Sequence, residues 1–147
     1  MSLFTYRAWW ALSIISIGSA FWSYSPFFQS ELMPIFMAQL PGIFVLALLC
    51  ASIGCVYAIL ARVANRKLVF YLGGAHVILQ GVAIIAGSFI VYFRSQGMAN
   101  GTQLDMSDMR GVAYLVSGAS VFAALAFFAA MVAALSEMRK RINENVF

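Results

Sequence analysis

Charge is what this sequence has least of. Only 10% of its 147 residues are Asp, Glu, Lys or Arg, and just five are acidic, where an ordinary soluble domain is about 25% charged. None of the charged residues falls within the hydrophobic depth of an apolar run, a position that ion-coupled carriers and proton relays use for at least one. A secondary transporter working alone is therefore disfavoured. Histidine occurs once, as His76, and cysteine twice, as Cys50 and Cys55. No Cys/His cluster with metal-ligand spacing, no Ser/His/Asp set and no phosphate-binding glycine loop can be assembled from such a list, so catalysis by this chain on its own is not expected. The two cysteines lie on what reads as one helix, about 7.5 Å apart along its axis and on different faces. They cannot bridge each other there, and they read as small hydrophobes in a packing seam. The net charge of +4 suggests nucleic acid only until the basic residues are located. They sit in short clusters at the ends of apolar runs, which makes them topology signals and excludes a nucleic-acid partner.

What the chain has in abundance is apolar surface. Hydrophobic residues make up 63% of it, against roughly 45–50% in a soluble domain, and they gather into four runs. The run from Leu68 to Phe93 is uncharged for about 26 residues, or roughly 39 Å as a helix, enough to cross a ~30 Å hydrocarbon core with tilt. One of its faces carries Gly73, His76, Gln80, Ala83 and Gly87 at helical spacing. That face needs a protein neighbour, because lipid offers an imidazole or an amide no hydrogen-bond partner. His76 lies about 13 Å from the nearer edge and Gln80 about 6 Å deeper, so these two are the candidate cofactor-binding residues. Three readings are open for them. They bond to hydroxyls or carbonyls of neighbouring helices and fix register. Alternatively, His76 is an axial ligand to a b-type haem, with Gly73, Gly74 and Gly81 leaving room for the macrocycle and a second ligand coming from another chain. In the third, His76 and Gln80 donate to a quinone carbonyl, with Tyr71 or Tyr92 near the ends of the pocket.

The string Gly73 to Gln80, GGAHVILQ, resembles a glycine-rich, histidine-bearing helix of the haem-copper oxidase main subunits over about eight residues. The further histidines which that family needs for two haems and copper are missing here, and no role carries over.

The first run, about residues 8–24, has Arg7 before it and the small residues Gly18, Ser19 and Ala20 within it, as a signal peptide would. Trp9, Trp10, Trp22 and Tyr24 instead read as aromatic belts at both interfaces of a retained span, and Ser13, Ser16, Ser19 and Ser23 form a hydroxyl-lined face. Residues 25–37 carry Pro26 and Pro34 among large apolar side chains and read as a broken interfacial connection that caps the bundle, with Glu31 facing solvent. The second span, about 38–61, takes Pro41 in its first turn. It has two small-residue ladders, Ala47, Ala51, Cys55 and Cys50, Gly54, Ala58, the pattern of close helix contacts. Arg62, Arg66 and Lys67 then make a tight turn. Residues 94–110 form a polar outer loop with the sequon Asn100-Gly101-Thr102, read as a turn outside a eukaryotic secretory route. Met98, Met106 and Met109, beside Asp105 and Asp108 and on the side of Met33 and Met37, supply thioethers of a kind that bind Cu(I); they read as ordinary loop residues. The fourth span, about 111–136, presents Ala119, Ala123, Ala126, Ala130 and Ala133 along one face.

Arg7, Arg62, Arg66, Lys67, Arg139, Lys140 and Arg141 fall on one side of such spans, and Arg94 and Arg110 on the other, which assigns both termini to the cytoplasm, or to the matrix or stroma of an organelle. The sequence thus describes an all-α membrane protein, a single membrane domain over residues 1–147, with four transmembrane helices in an antiparallel bundle in a bacterial inner membrane or an organelle membrane. Its small-residue seams point to an accessory or structural subunit of a larger membrane complex, respiratory or photosynthetic, with bound lipid and larger subunits as partners. The alternatives are a haem- or quinone-binding membrane anchor using His76, and a homo-oligomeric channel or carrier lined by the serine face and the His76 face.

Overall fold

A computed structural model describes residues 2–28, 30–63, 66–102, 107 and 109–145. The elements are α1 (Ser2–Ser23), a single 3-10 turn at Ser25–Phe27, α2 (Met33–Val63), α3 (Arg66–Ala99) and α4 (Arg110–Asn145); among the described residues there is no strand. Three helices, α2, α3 and α4, are long and apolar enough to cross a membrane. At 22 residues, or about 33 Å, α1 has the length of a span and is not one of these three.

The helices are longer than the apolar runs predict. α2 opens at Met33, with Pro34 in its first turn and Pro41 inside it. Residues 25–37 are therefore not one broken connection: they comprise the 3-10 turn, a short bend and the first turn of α2. A proline inside a helix removes one amide donor and crowds the carbonyl four residues back, and Pro41 lies on an exposed face. α3 absorbs residues 94–99 of the expected loop and ends in a Schellman turn. Gly101 takes φ 66°, its N–H donates to the Met98 carbonyl at 3.3 Å, and Thr102 N–H donates to the Gly97 carbonyl at 2.9 Å. Only glycine adopts that backbone without cost, so Asn100-Gly101-Thr102 is a helix stop. α4 continues past residue 136 to Asn145, where Arg141 pairs with Glu137 at 3.2 Å and Lys140 with Glu144 at 3.9 Å, one helical turn apart.

Packing is uneven. α1 lies along both α2 and α3, and α3 lies along α4, while α2 and α4 touch only sparsely and α1 and α4 stand on a diagonal. Two ends can be named. At the basic end, where α2 gives way to α3 and α4 terminates, Trp9, Leu12, Cys50, Tyr57, Ala61, Val69, Ala130 and Ala134 form one buried cluster. At the loop end, Phe21, Phe28 and Phe36 meet edge to face at 5.0–6.4 Å over a buried Phe27.

The small-residue faces point inward with one correction. Cys50, Gly54, Ala47, Ala119, Ala123 and Ala130 are buried and Ala51, Ala58 and Ala126 half-buried, but Cys55 is exposed. A four-residue step advances about 400° around a helix, so the row that starts at Ala47 has drifted by roughly 80° when it reaches Cys55 and has left the interface.

Candidate functional site

The inward face of α3 runs Gly73, His76, Gln80, Ala83 and Gly87, each buried or half-buried. Its two polar residues end up in different surroundings. His76 is 5% exposed and closed in by rings from three helices: Trp9 edge-on at 4.6 Å, Phe127 at 5.4 Å and Tyr57 at 5.7 Å between centroids. The Tyr57 hydroxyl and His76 Nδ1 are 2.9 Å apart. In the neutral tautomer that carries its proton on Nε2, the phenol donates and Nδ1 accepts. Trp9 is 0% exposed, and its indole N–H is a buried donor with no partner among the described residues.

Gln80, one turn further along α3, faces an open chamber. The cavity holds about 340 Å³. Ser16, Ser19 and Ser23 of α1, Gln80 and Ser88 of α3 and Ser120 of α4 give it its polar lining, with Leu46, Ile84, Val91 and Val116 among its apolar walls. The serine protons are already used. Ser16 donates to the Ser13 carbonyl at 2.7 Å, Ser19 to Ser16 at 3.1 Å, Ser88 to Ile84 at 2.8 Å and Ser120 to Val116 at 2.8 Å. Ser23 lies 2.6 Å from the Ser19 carbonyl and 3.1 Å from that of Ser88, which ties α1 to α3. What these hydroxyls offer the chamber is acceptor oxygens. Gln80 adds both a donor and an acceptor, and its amide has no partner among the described residues. Leu46 of α2 and Ser120 of α4, both exposed, border the chamber from two helices that touch only sparsely.

A second cavity, of about 330 Å³, lies nearer the loop end and shares Tyr24 and Val91 with the first. No protein-family model, curated protein or solved structure matches this chain.

Other residues singled out in the sequence lie elsewhere. Tyr71 is exposed and Tyr92 stacks on Trp22 at 4.4 Å; neither lines the chamber, so neither marks the end of a pocket built on Gln80. Trp10 and Trp22 are exposed, as interfacial residues should be, but Trp9 is core. Among the methionines, Met33, Met37 and Met98 are exposed, and Met109 borders an apolar groove between α3 and α4. Met106, Asp105 and Asp108 lie outside the described residues. Among the described residues no group of three or more His, Cys, Asp or Glu is placed to hold a metal ion.

Tyr57 and Ser88 were missed as site residues, and both had a signal. Tyr57 continues the Cys50, Gly54 row at helical spacing, and Ser88 faces the Ser23 end of the α1 hydroxyl ladder in an antiparallel pairing.

Proposed function

We propose that the protein is a four-span integral membrane protein, non-catalytic on its own, that holds a lipid-soluble ligand in the chamber at the loop end. The observation that carries this reading is Gln80. Within a membrane an amide without a partner costs free energy on the order of 1–3 kcal/mol, and this one opens into a cavity rimmed by acceptor oxygens. A ligand with a carbonyl or hydroxyl headgroup satisfies the amide, and a ring or short chain suits the apolar walls. The gap between α2 and α4 gives such a molecule a route from the bilayer.

Several features support the topology. Trp9 is enclosed in the core, so α1 belongs to the bundle and spans with it. The basic residues favour a cytoplasmic (or matrix or stromal) basic end, with both termini there. Among the ligands the sequence suggested, a quinone-type headgroup suits Gln80 better than haem suits His76. Nδ1 of His76 is engaged by Tyr57, and a macrocycle could reach Nε2 only by displacing Trp9 or Phe127. A continuous pore would have to pass the same cluster of rings, which weighs against a channel.

The test is to purify the protein in mild detergent and extract the sample for mass spectrometry. A neutral isoprenoid or lipid with an oxygen headgroup, near one per chain in the native protein and reduced at least about fivefold in Gln80→Leu, is the expected result. Equal amounts in both proteins, or none in either, overturn it.

A second reading, the accessory subunit, has its own observation. Ser52 and Cys55 on α2 and Ser117, Ser120 and Ala124 on α4 are exposed along otherwise bulky apolar faces, and small residues on an outer face permit close helix contact with another subunit. Larger chains retained in fixed ratio on the same purification support it, and a sample without them removes it.

A further inference from the structure

The second cavity carries a chemistry that the deep chamber lacks. It opens where α3 leaves its apolar stretch, between the end of α1, the 3-10 turn and the first turns of α2. Its polar lining is Tyr24, Gln39, Arg94 and Ser95. Arg94 has no carboxylate partner among the described residues, and Glu31, the described carboxylate at this end, is exposed and not part of the lining. Ser95 is 2% exposed, yet its hydroxyl makes no hydrogen bond among the described residues, and it faces the cavity. A helix serine ordinarily returns its proton to a carbonyl one turn back, as Ser16, Ser19, Ser23 and Ser88 do here. The first-turn amides of α2 are engaged, Met33 N–H with the Ser30 carbonyl at 3.3 Å and Ile35 N–H with the Leu32 carbonyl at 2.9 Å, and Pro34 has none to offer. That helix end therefore contributes mainly the positive end of its dipole.

We infer that Arg94, Ser95, Gln39 and Tyr24 bind the phosphate of an anionic phospholipid at the loop-end surface of the membrane. A guanidinium, two hydroxyls and an amide make a donor set for phosphate oxygens. Phe27, Ile35, Val91 and Met98 supply the rest of the wall, an apolar surface that suits the glycerol and upper acyl carbons of a lipid and has no use for a free inorganic anion. Arg94 is about 21 Å from Gln80 along α3, and the two cavities meet only at Tyr24 and Val91.

The experiment is a thermal unfolding titration of the full chain in mild detergent with three probes: dioctanoyl phosphatidic acid, dioctanoylglycerol and inorganic phosphate. Phosphatidic acid is expected to raise the midpoint, and the other two to leave it unchanged. Arg94→Gln should weaken the half-saturating phosphatidic acid concentration roughly tenfold, the loss of one charge-assisted contact. Ser95→Ala should weaken it about two- to threefold, and Arg110→Gln, which removes a cation at the same end but outside the cavity, should leave it as it was. Arg94 is exposed, so its variant keeps the lipid-free midpoint of the native protein, and Arg94→Lys should recover part of the response. An equal response to phosphate alone, an equal response to dioctanoylglycerol, or the same loss in Arg110→Gln as in Arg94→Gln overturns the inference.

Discussion

The basic end and the loop end of this bundle are built by the same four helices along the same inward rows, yet one half is filled and the other hollow. On α1 the row runs Trp9, Leu12, then Ser16, Ser19 and Ser23. On α3 it runs Val69, Leu72, His76, then Gln80, Ala83 and Gly87, and on α4, read from its far end, Ala134, Ala130 and Phe127 give way to Ala123 and Ala119. On α1 and α3 the large side chains fall in the basic-end half and the small ones in the loop-end half, and on α4 the one large member of the row, Phe127, lies on the basic-end side of Ala123 and Ala119. Helices already held apart by a Trp, a Tyr and a Phe cannot close fully on serine and alanine one or two turns away, and the space left over is the chamber. The cavity is therefore a consequence of a volume gradient along the rows, with the ring cluster acting as the spacer.

If the ring cluster sets the spacing, removing its largest member should have the greatest effect. Trp9→Ala is expected to destabilise the bundle by about 3–5 kcal/mol, measured by denaturant unfolding in detergent micelles, and to let α1 settle toward α2 and α3 so that the chamber shrinks and its ligand is lost. Trp9→Phe sharpens the point. It gives up some volume but also deletes an indole N–H that is buried without a partner, so it should cost far less than the alanine change. A Trp9→Phe variant as unstable as Trp9→Ala would show that the indole N–H has a partner after all.

Much of this architecture was legible beforehand because membrane composition and helical periodicity are strong signals. The inward face of α3 could be read residue by residue, since only that face carries polar and small groups at three- and four-residue spacing. Helix ends could not. Residues 94–99 and 137–145 look like loop and tail because hydropathy falls there, yet Ser, Gln, Met, Arg, Lys and Glu are adequate helix formers, and helices do not stop where the membrane does. Trp9 reads as an interfacial residue because tryptophan near a span end usually is one, while in the structure α1 begins at Ser2 and Trp9 lies in the core. The pairing of Tyr57 with His76 joins α2 to α3 across nineteen positions of sequence, and no local pattern announces which of several helix faces will meet.

The Tyr57 to His76 bond gives the next largest contrast between the halves. Tyr57→Phe keeps the ring and leaves Nδ1 without its donor, so a loss of about 1–2 kcal/mol is expected. Ser13→Ala, which removes the 2.8 Å bond from α1 to the Ala47 carbonyl of α2, should cost only about 0.6 kcal/mol, because the bond is partly exposed and a membrane-embedded carbonyl finds other partners. Both are read from the same unfolding curves, and equal losses would mean that burial adds nothing to the Tyr57–His76 hydrogen bond.

A change of opposite sign should come from within the hollow half, and there the sign is informative. A Cβ built at Gly87 meets nothing within 4 Å, so Gly87→Ala fits without displacing a neighbour and gains up to about 1 kcal/mol from helix propensity alone. Gly87→Leu extends the same side chain into the chamber lined by Ser19, Ser23 and Val91. If that space is a binding site, the leucine variant should fold at least as well as the native protein yet carry no ligand, because filling a cavity adds apolar contact while excluding its occupant. If instead the chamber is only a packing defect, the leucine should raise stability and leave the composition of the purified protein unchanged. A binding site is recognised by the gain in stability and the loss of ligand appearing together.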